Sequence, residues 1–285
     1  MSRTITEIEE KWLTKLFEYN RNLFSGLDLP SHDHLHHLRV WYFVKDLLTE
    51  LEKEDITVPY EIQEKLIFAS FFHDIGLSET LQEDHGKVSS DICREYLGSN
   101  NISFPGGSED LLRAIEYHDD KSYKQDIADN NPADLYTLLT VCDDLDAFGA
   151  IGVFRYLEIY LLRNIAMEEL SGKVLLNIQS RYDKLHSHYS FLKNFMSKHT
   201  SRYEYTRDFY YNLSLCINND GKHTCTDYYT VEAVNRLIEN YVSGKLDREK
   251  LKIAKPGSSE STGKNKFMDK FREELSISES DLLYH

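Results

Sequence analysis

Histidine and aspartate stand side by side at positions 73 and 74. They close the run Leu66-Ile67-Phe68-Ala69-Ser70-Phe71-Phe72, and of all the residues in this chain they are the best placed to do chemistry. A run this apolar belongs in a core, and Gly76 just beyond it suits the end of a helix. Imidazole is the commonest protein metal ligand, and carboxylates bind hard divalent cations. A buried carboxylate beside an imidazole is costly unless positive charge neutralises it. Metal binding at the buried end of a helix is therefore the first reading of the pair. The dipeptide alone does not carry that reading, because His32-Asp33 and His118-Asp119 repeat it. Only the pair at 73 follows an apolar helix.

Four more segments place a ligand type on an apolar helical stripe. His36 precedes Val40, Phe43 and Leu47 on one stripe, while His37, Trp41, Val44 and Leu48 form a competing one; periodicity does not choose between the two histidines. His85 lies one turn before Val88, on a stripe continued by Ile92 and Tyr96. His118 ends the face of Leu111 and Ile115. Asp143 and Asp146 share a face with Leu139. A lone core histidine is more often a hydrogen-bonded structural residue than a ligand. Histidines on four helices, joined by aspartates on apolar faces, are hard to explain by packing alone.

The elements that must hold these residues are helices. Helix-period runs recur, two-residue alternation is rare, and the 285 residues contain only 5 prolines and 13 glycines. The expected fold is all-α. An amphipathic helix opens the chain over residues 5–24, and Ser31 is a candidate N-cap for the second. The central helix is expected from about Tyr60 to Ile75. Ser108 precedes another, Pro132 fits the first position of the next, and Ser171-Gly172 closes a helix begun near 153. Residues 176–218 form one or two long helices. The expected domains are 1–218, a helical extension 219–253, and a flexible linker and tail 254–285 containing Pro-Gly-Ser-Ser-Glu-Ser-Thr-Gly.

Hydrophobic residues make up 41% of the chain, enough for a sizeable core, and the net charge is −15. That charge argues against non-specific nucleic-acid or membrane binding, which needs basic surface. An anionic substrate is still allowed, since a bound cation reverses the local field. The four cysteines lack C-x-x-C spacing and read as reduced thiols. The N-terminus lacks the signal-peptide pattern and no apolar run reaches membrane-spanning length, so a cytoplasmic protein is expected.

Taken in order, His, His-Asp and Asp resemble the HD-domain superfamily of metal-dependent phosphohydrolases. His36-His37-Leu38-Arg39-Val40 resembles its first motif, in which the ligand stands four residues before a valine, and this alignment selects His36. Phe72-His73-Asp74-Ile75-Gly76 resembles its signature. The stretch from Asp143 to Gly152, with Arg155 beyond it, is similar to the last motif of the small bacterial HD phosphohydrolases, where the first aspartate is the ligand. The resemblance spans roughly residues 10–215 and does not extend to 220–285.

The resemblance implies metal ligands at His36, His73, Asp74 and Asp143. His85 and His118 are either pocket residues or ligands of a second ion. Two imidazoles and two carboxylates suit Mn, Fe, Ni or Zn better than Mg. Glu79, Asp84 and Asp146 are candidate proton-transfer groups; for Glu79 and Asp84 the ordinary alternative is solvated loop charge. Arg39, Lys87, Lys121 and Arg155 are candidate phosphate binders, although either arginine can instead pair with Asp146 or Asp144. The implied activity is hydrolysis of a phosphoester or phosphoanhydride, with nucleotides as the substrate class. Di-iron HD oxygenases, which cleave C–C or C–P bonds, and catalytically silent metal- or nucleotide-binding sensors are the alternatives. Assembly into a homo-oligomer stays open.

Overall fold

The computed structural model describes residues 3–25, 33–80, 84–119, 131–163 and 165–218, together with 230–232, 236, 267, 269–271 and 273–274. Among the described residues every regular element is helical. The chain divides into two compact units, Met1–Leu27 with His32–Leu145 and Lys184–Met196, and Asp28–Ser31 with Asp146–Asp183 and Ser197–His285. The single unit expected over 1–218 is thus divided after Leu145.

In the first unit α3 (Tyr60–Phe72) is the central element and touches α1 (Arg3–Leu23), α2 (His34–Lys53), α4 (His85–Ser99), α5 (Glu109–Glu116) and α6 (Leu135–Leu145). The reason lies in its sequence. From Leu66 to Phe72 every side chain is buried, so no face is left for solvent. The helix stops at Phe72, and after His73 and Asp74 the chain tightens into a 3₁₀ turn, Ile75–Ser78. Polar anchors set the flanking helices. Trp12 and Lys11 of α1 donate to Glu64 of α3 at 2.8 and 2.7 Å, and Trp41 and Lys45 of α2 donate to Glu9 of α1 at 2.8 Å each.

Several local expectations are corrected. Asp33, not Ser31, caps α2, with its Oδ1 accepting from Leu35 N–H at 3.0 Å. Helix α6 starts at Leu135 rather than at Pro132, because Asp134 caps it through Thr137 N–H at 2.9 Å. The buried stripe of α4 is Gly86, Ser89, Ser90, Cys93 and Leu97, while Val88, Ile92 and Tyr96 are only half-buried. Close approach selects the small residues. A Cβ at Gly76 would stand 2.2 Å from the His85 carbonyl oxygen, and one at Gly86 would stand 2.4 Å from that of Glu116. Ser171-Gly172 lies inside α8 (Met167–Tyr189), the preceding helix α7 (Gly149–Leu162) having ended earlier. Cys216 is disulfide-bonded, against the expectation of reduced thiols, whereas Cys93 and Cys142 are free and buried, and burial pushes both thiols up.

In the second unit α7 is held by α9 (Lys193–Asn218). Arg202 donates to the Phe148 carbonyl at 2.8 Å, Thr206 to that of Gly149 at 3.1 Å, and Tyr210 to that of Val153 at 2.9 Å. Part of the expected flexible tail packs here. Phe267 and Phe271 are buried, Phe271 stacks on Phe154 with ring centroids 4.5 Å apart, and the Glu274 carboxylate accepts from Ala150 and Ile151 N–H at 3.1 and 2.9 Å. Two phenylalanines one helical turn apart supply the apolar surface that the composition of the tail as a whole lacks. Of the remaining tail and the extension 219–253, all but residues 230–232, 236, 269, 270 and 273 lie outside the described residues. Truncation after Ile253 is therefore expected to destabilise the protein by about 3–5 kcal/mol, the cost of losing one large aromatic from a core. A melting curve of the truncated chain that overlays the full-length curve would show instead that the phenylalanines add nothing.

Candidate metal centre

The site forms where helices end. His73 follows the last residue of α3, and its Nδ1–H donates to the Ser70 carbonyl at 3.0 Å. His118 follows the end of α5, and its Nδ1–H donates to the Ile115 carbonyl at 2.8 Å. The device is the same in both. The last turn of a helix leaves carbonyls without amide partners, and an imidazole three residues on reaches back to one of them. This bond puts a proton on Nδ1 and turns Nε2 away from the helix. His36 enters from the first turn of α2, and Asp143 from the last turn of α6.

Four atoms converge. His36 Nε2 lies 3.0 Å from His73 Nε2, 3.3 Å from Asp74 Oδ2 and 3.4 Å from Asp143 Oδ1, while His73 Nε2 lies 3.6 and 3.5 Å from the same two oxygens. Both histidines are fully buried, and the two carboxylates are nearly so. The spacings test whether a metal fits. Ligands at about 2.1 Å from a first-row divalent ion are separated by roughly 3.0 Å at right angles and roughly 3.4 Å in a tetrahedron. The five separations match those of such a donor set, and two nitrogens and two oxygens are donor types that a transition metal accepts.

A second group shares Asp74. Its Oδ1 lies 2.9 Å from His118 Nε2 and 3.4 Å from His85 Nε2. These three residues also bring one ligand atom each within 4.8 Å of one another. His85 is placed by the Gly76–α4 approach, which is secured by a 2.8 Å bond from Gly76 N–H to Ser89 Oγ.

Charge in the cluster is strongly biased. Burial pushes Asp74 upward, but the neighbouring His73 and hydrogen bonds from His118, His36 and His85 outweigh it and hold the carboxyl well below its ordinary value. Burial likewise raises Asp143, and hydrogen bonds from His36 and His73 reverse the effect. Burial lowers His118, yet the bond to Asp74 and its charge push it up to about 9. Both carboxylates thus stay anionic, and a proton on His118 stands where a cation would otherwise balance them.

Glu79, Asp84 and Lys87 are exposed beside the 3₁₀ turn and at the start of α4. Arg39 is buried in α2. Lys121 lies outside the described residues. Asp146 is fully buried and accepts from Arg155 at 2.7 Å, and Lys184 faces Asp144. Arg155, which the last motif offers as a phosphate binder, and Asp146, a proton-transfer candidate, are thus ion-paired with each other. Two participants have no sequence signal of their own. The Ser70 carbonyl is backbone, and His37 was visible only as the rival of His36.

No curated protein and no solved structure matches the chain. Residues 35–150, which contain every one of the six converging side chains, match the family model of the HD domain.

Proposed function

We propose that the protein is a metal-dependent phosphohydrolase of the kind found among the small bacterial HD proteins, acting on a phosphoester or phosphoanhydride of a nucleotide. The observation that carries this reading is the convergence of two imidazole nitrogens and two carboxylate oxygens at 3.0–3.6 Å from three helix ends. Mn, Fe, Ni and Zn fit that donor set. When bound, such an ion activates water and polarises a phosphoryl oxygen.

The chain's own residues do the rest. Asp74 and Asp143 supply two negative charges that select a cation, and His36 and His73 supply lone pairs fixed in direction. His118 holds a proton on Nε2, 2.9 Å from Asp74 Oδ1, where it can be passed to a leaving oxygen. His85, half-buried beside it, faces incoming substrate. Arg39 and Lys87 remain the phosphate binders, with Glu79 and Asp84 as peripheral acids. The second group, Asp74 with His85 and His118, favours one other reading, a two-ion centre that includes the di-iron oxygenase chemistry.

A panel of phosphorylated metabolites tested with Mn, Fe, Ni and Zn is expected to show phosphate or pyrophosphate release from a nucleotide, dependent on added metal. A near-UV charge-transfer band with O₂ uptake would replace hydrolysis by the di-iron reading. Metal or nucleotide binding without turnover would identify a sensor. No described helix is long and apolar enough to cross a membrane.

A further inference from the structure

His37 is not among the six converging side chains, yet it is fully buried against them. Its ring centroid lies 5.4 Å from that of His36 and 5.1 Å from that of His73. Its Nδ1 lies 3.2 Å from the Ser70 carbonyl oxygen, the same atom that accepts from His73 Nδ1 at 3.0 Å. A carbonyl only accepts, so both imidazoles present Nδ1–H to it. His37 is on α2 and Ser70 on α3, the helices that carry His36 and His73. This bond therefore joins the two helices within one residue of one ligand and three residues of the other.

The opposite side of the ring has no such use. Among the described residues, His37 Nε2 is buried without a hydrogen-bond partner. A polar atom left so costs about 1–3 kcal/mol. An apolar side chain at the same position would avoid that cost and fill the space. What only the imidazole supplies here is the Nδ1–H donor.

We infer that His37 is a positioning residue for the metal centre: it ties α2 to the last-turn carbonyl of α3 and so sets the 3.0 Å spacing of His36 and His73. The inference rests on the metal reading above. Residues that orient metal ligands typically change affinity by about 10–100-fold when removed.

The test is zinc affinity of the full chain, by competition with a chromophoric chelator, for wild type, H37F and H37N. Phenylalanine keeps the ring but has no donor, whereas the asparagine amide puts an N–H near the former Nδ1. H37F is expected to bind zinc about 10–100-fold more weakly, with H37N restoring most of the loss. Long-range ¹H–¹⁵N spectra of the zinc-loaded chain should show one sharp set of His73 ring signals in wild type and H37N, and shifted or broadened ones in H37F. Should H37F be recovered unfolded, H37L repeats the measurement with a smaller side chain. Equal affinity in all variants, or H37N as weak as H37F, would overturn the role given to the bond while leaving the metal site intact. A wild-type chain that binds no zinc, manganese or other divalent metal would remove the metal reading and this inference together.

Discussion

Asp74→Ala is expected to reduce bound metal and turnover to background while leaving a helical, folded chain. Asp74 is the residue that both groups use. Its Oδ2 lies 3.3 Å from His36 Nε2, and its Oδ1 lies 2.9 Å from His118 Nε2. Removing it deletes one of two anionic charges and leaves His36 and His73 with Asp143 alone. The effect on affinity should exceed the roughly 10–100-fold typical of a residue that only orients a ligand. His73→Ala should behave alike, because it deletes a donor whose direction is already fixed by Ser70. The fold is expected to survive because both residues follow α3 and leave its apolar run Leu66–Phe72 untouched. Elemental analysis of the purified variants, alongside circular dichroism, separates the two effects. Metal at wild-type levels in both variants would end the metal centre as drawn.

Gly76→Ala carries the second large effect, this time on stability. The added methyl would stand 2.2 Å from the His85 carbonyl oxygen and 2.9 Å from both Ser89 N and Ser89 Oγ. Two of these atoms are backbone, so no rotamer change relieves the clash, and the 3₁₀ turn and α4 must move apart. Overpacking of this kind costs about 3 kcal/mol, and more when backbone must shift. The Gly76–Ser89 bond breaks with it, and His85 leaves Asp74. Gly98, on the same helix, is the control. Nothing lies within 4 Å of a Cβ there, so Gly98→Ala should stabilise the chain by up to about 1 kcal/mol. Urea midpoints at unchanged slope measure both. A Gly76→Ala chain as stable as wild type would mean that the turn and α4 are not in contact in solution.

The sequence was most legible where apolar density and ligand type coincide. His73 and Asp74 stand out because α3 is apolar on every face, and the ligand-bearing ends of α2, α5 and α6 stand out for a similar reason. Hydrophobic period reads large apolar residues, so it missed what small ones do. In α4 it chose Val88, Ile92 and Tyr96, whereas contact at backbone distance required Gly86, Ser89 and Cys93. It also could not rank His36 against His37, because both are buried. They differ in which ring atom meets which partner, and a carbonyl such as that of Ser70 leaves no trace in side-chain pattern. The tail was judged on composition, which averaged away Phe267 and Phe271. Helix starts slipped by two or three residues because Asp33 and Asp134, not Ser31 and Pro132, satisfy the first amides.

The helix ends that meet at the site also set its field. A helix presents about half a negative charge at its carbonyl end and half a positive charge at its amide end. Helices α3, α5 and α6 reach the site with their carbonyl ends, at His73, His118 and Asp143, while α2 and α4 arrive with their amide ends, at His36 and His85. Added to two carboxylates, three negative poles against two make the pocket attractive to cations and repulsive to phosphate. An anionic substrate therefore meets a barrier until the cation is in place. The expected order is therefore metal first and anion second: inorganic phosphate should bind the metal-loaded chain and ignore the stripped one.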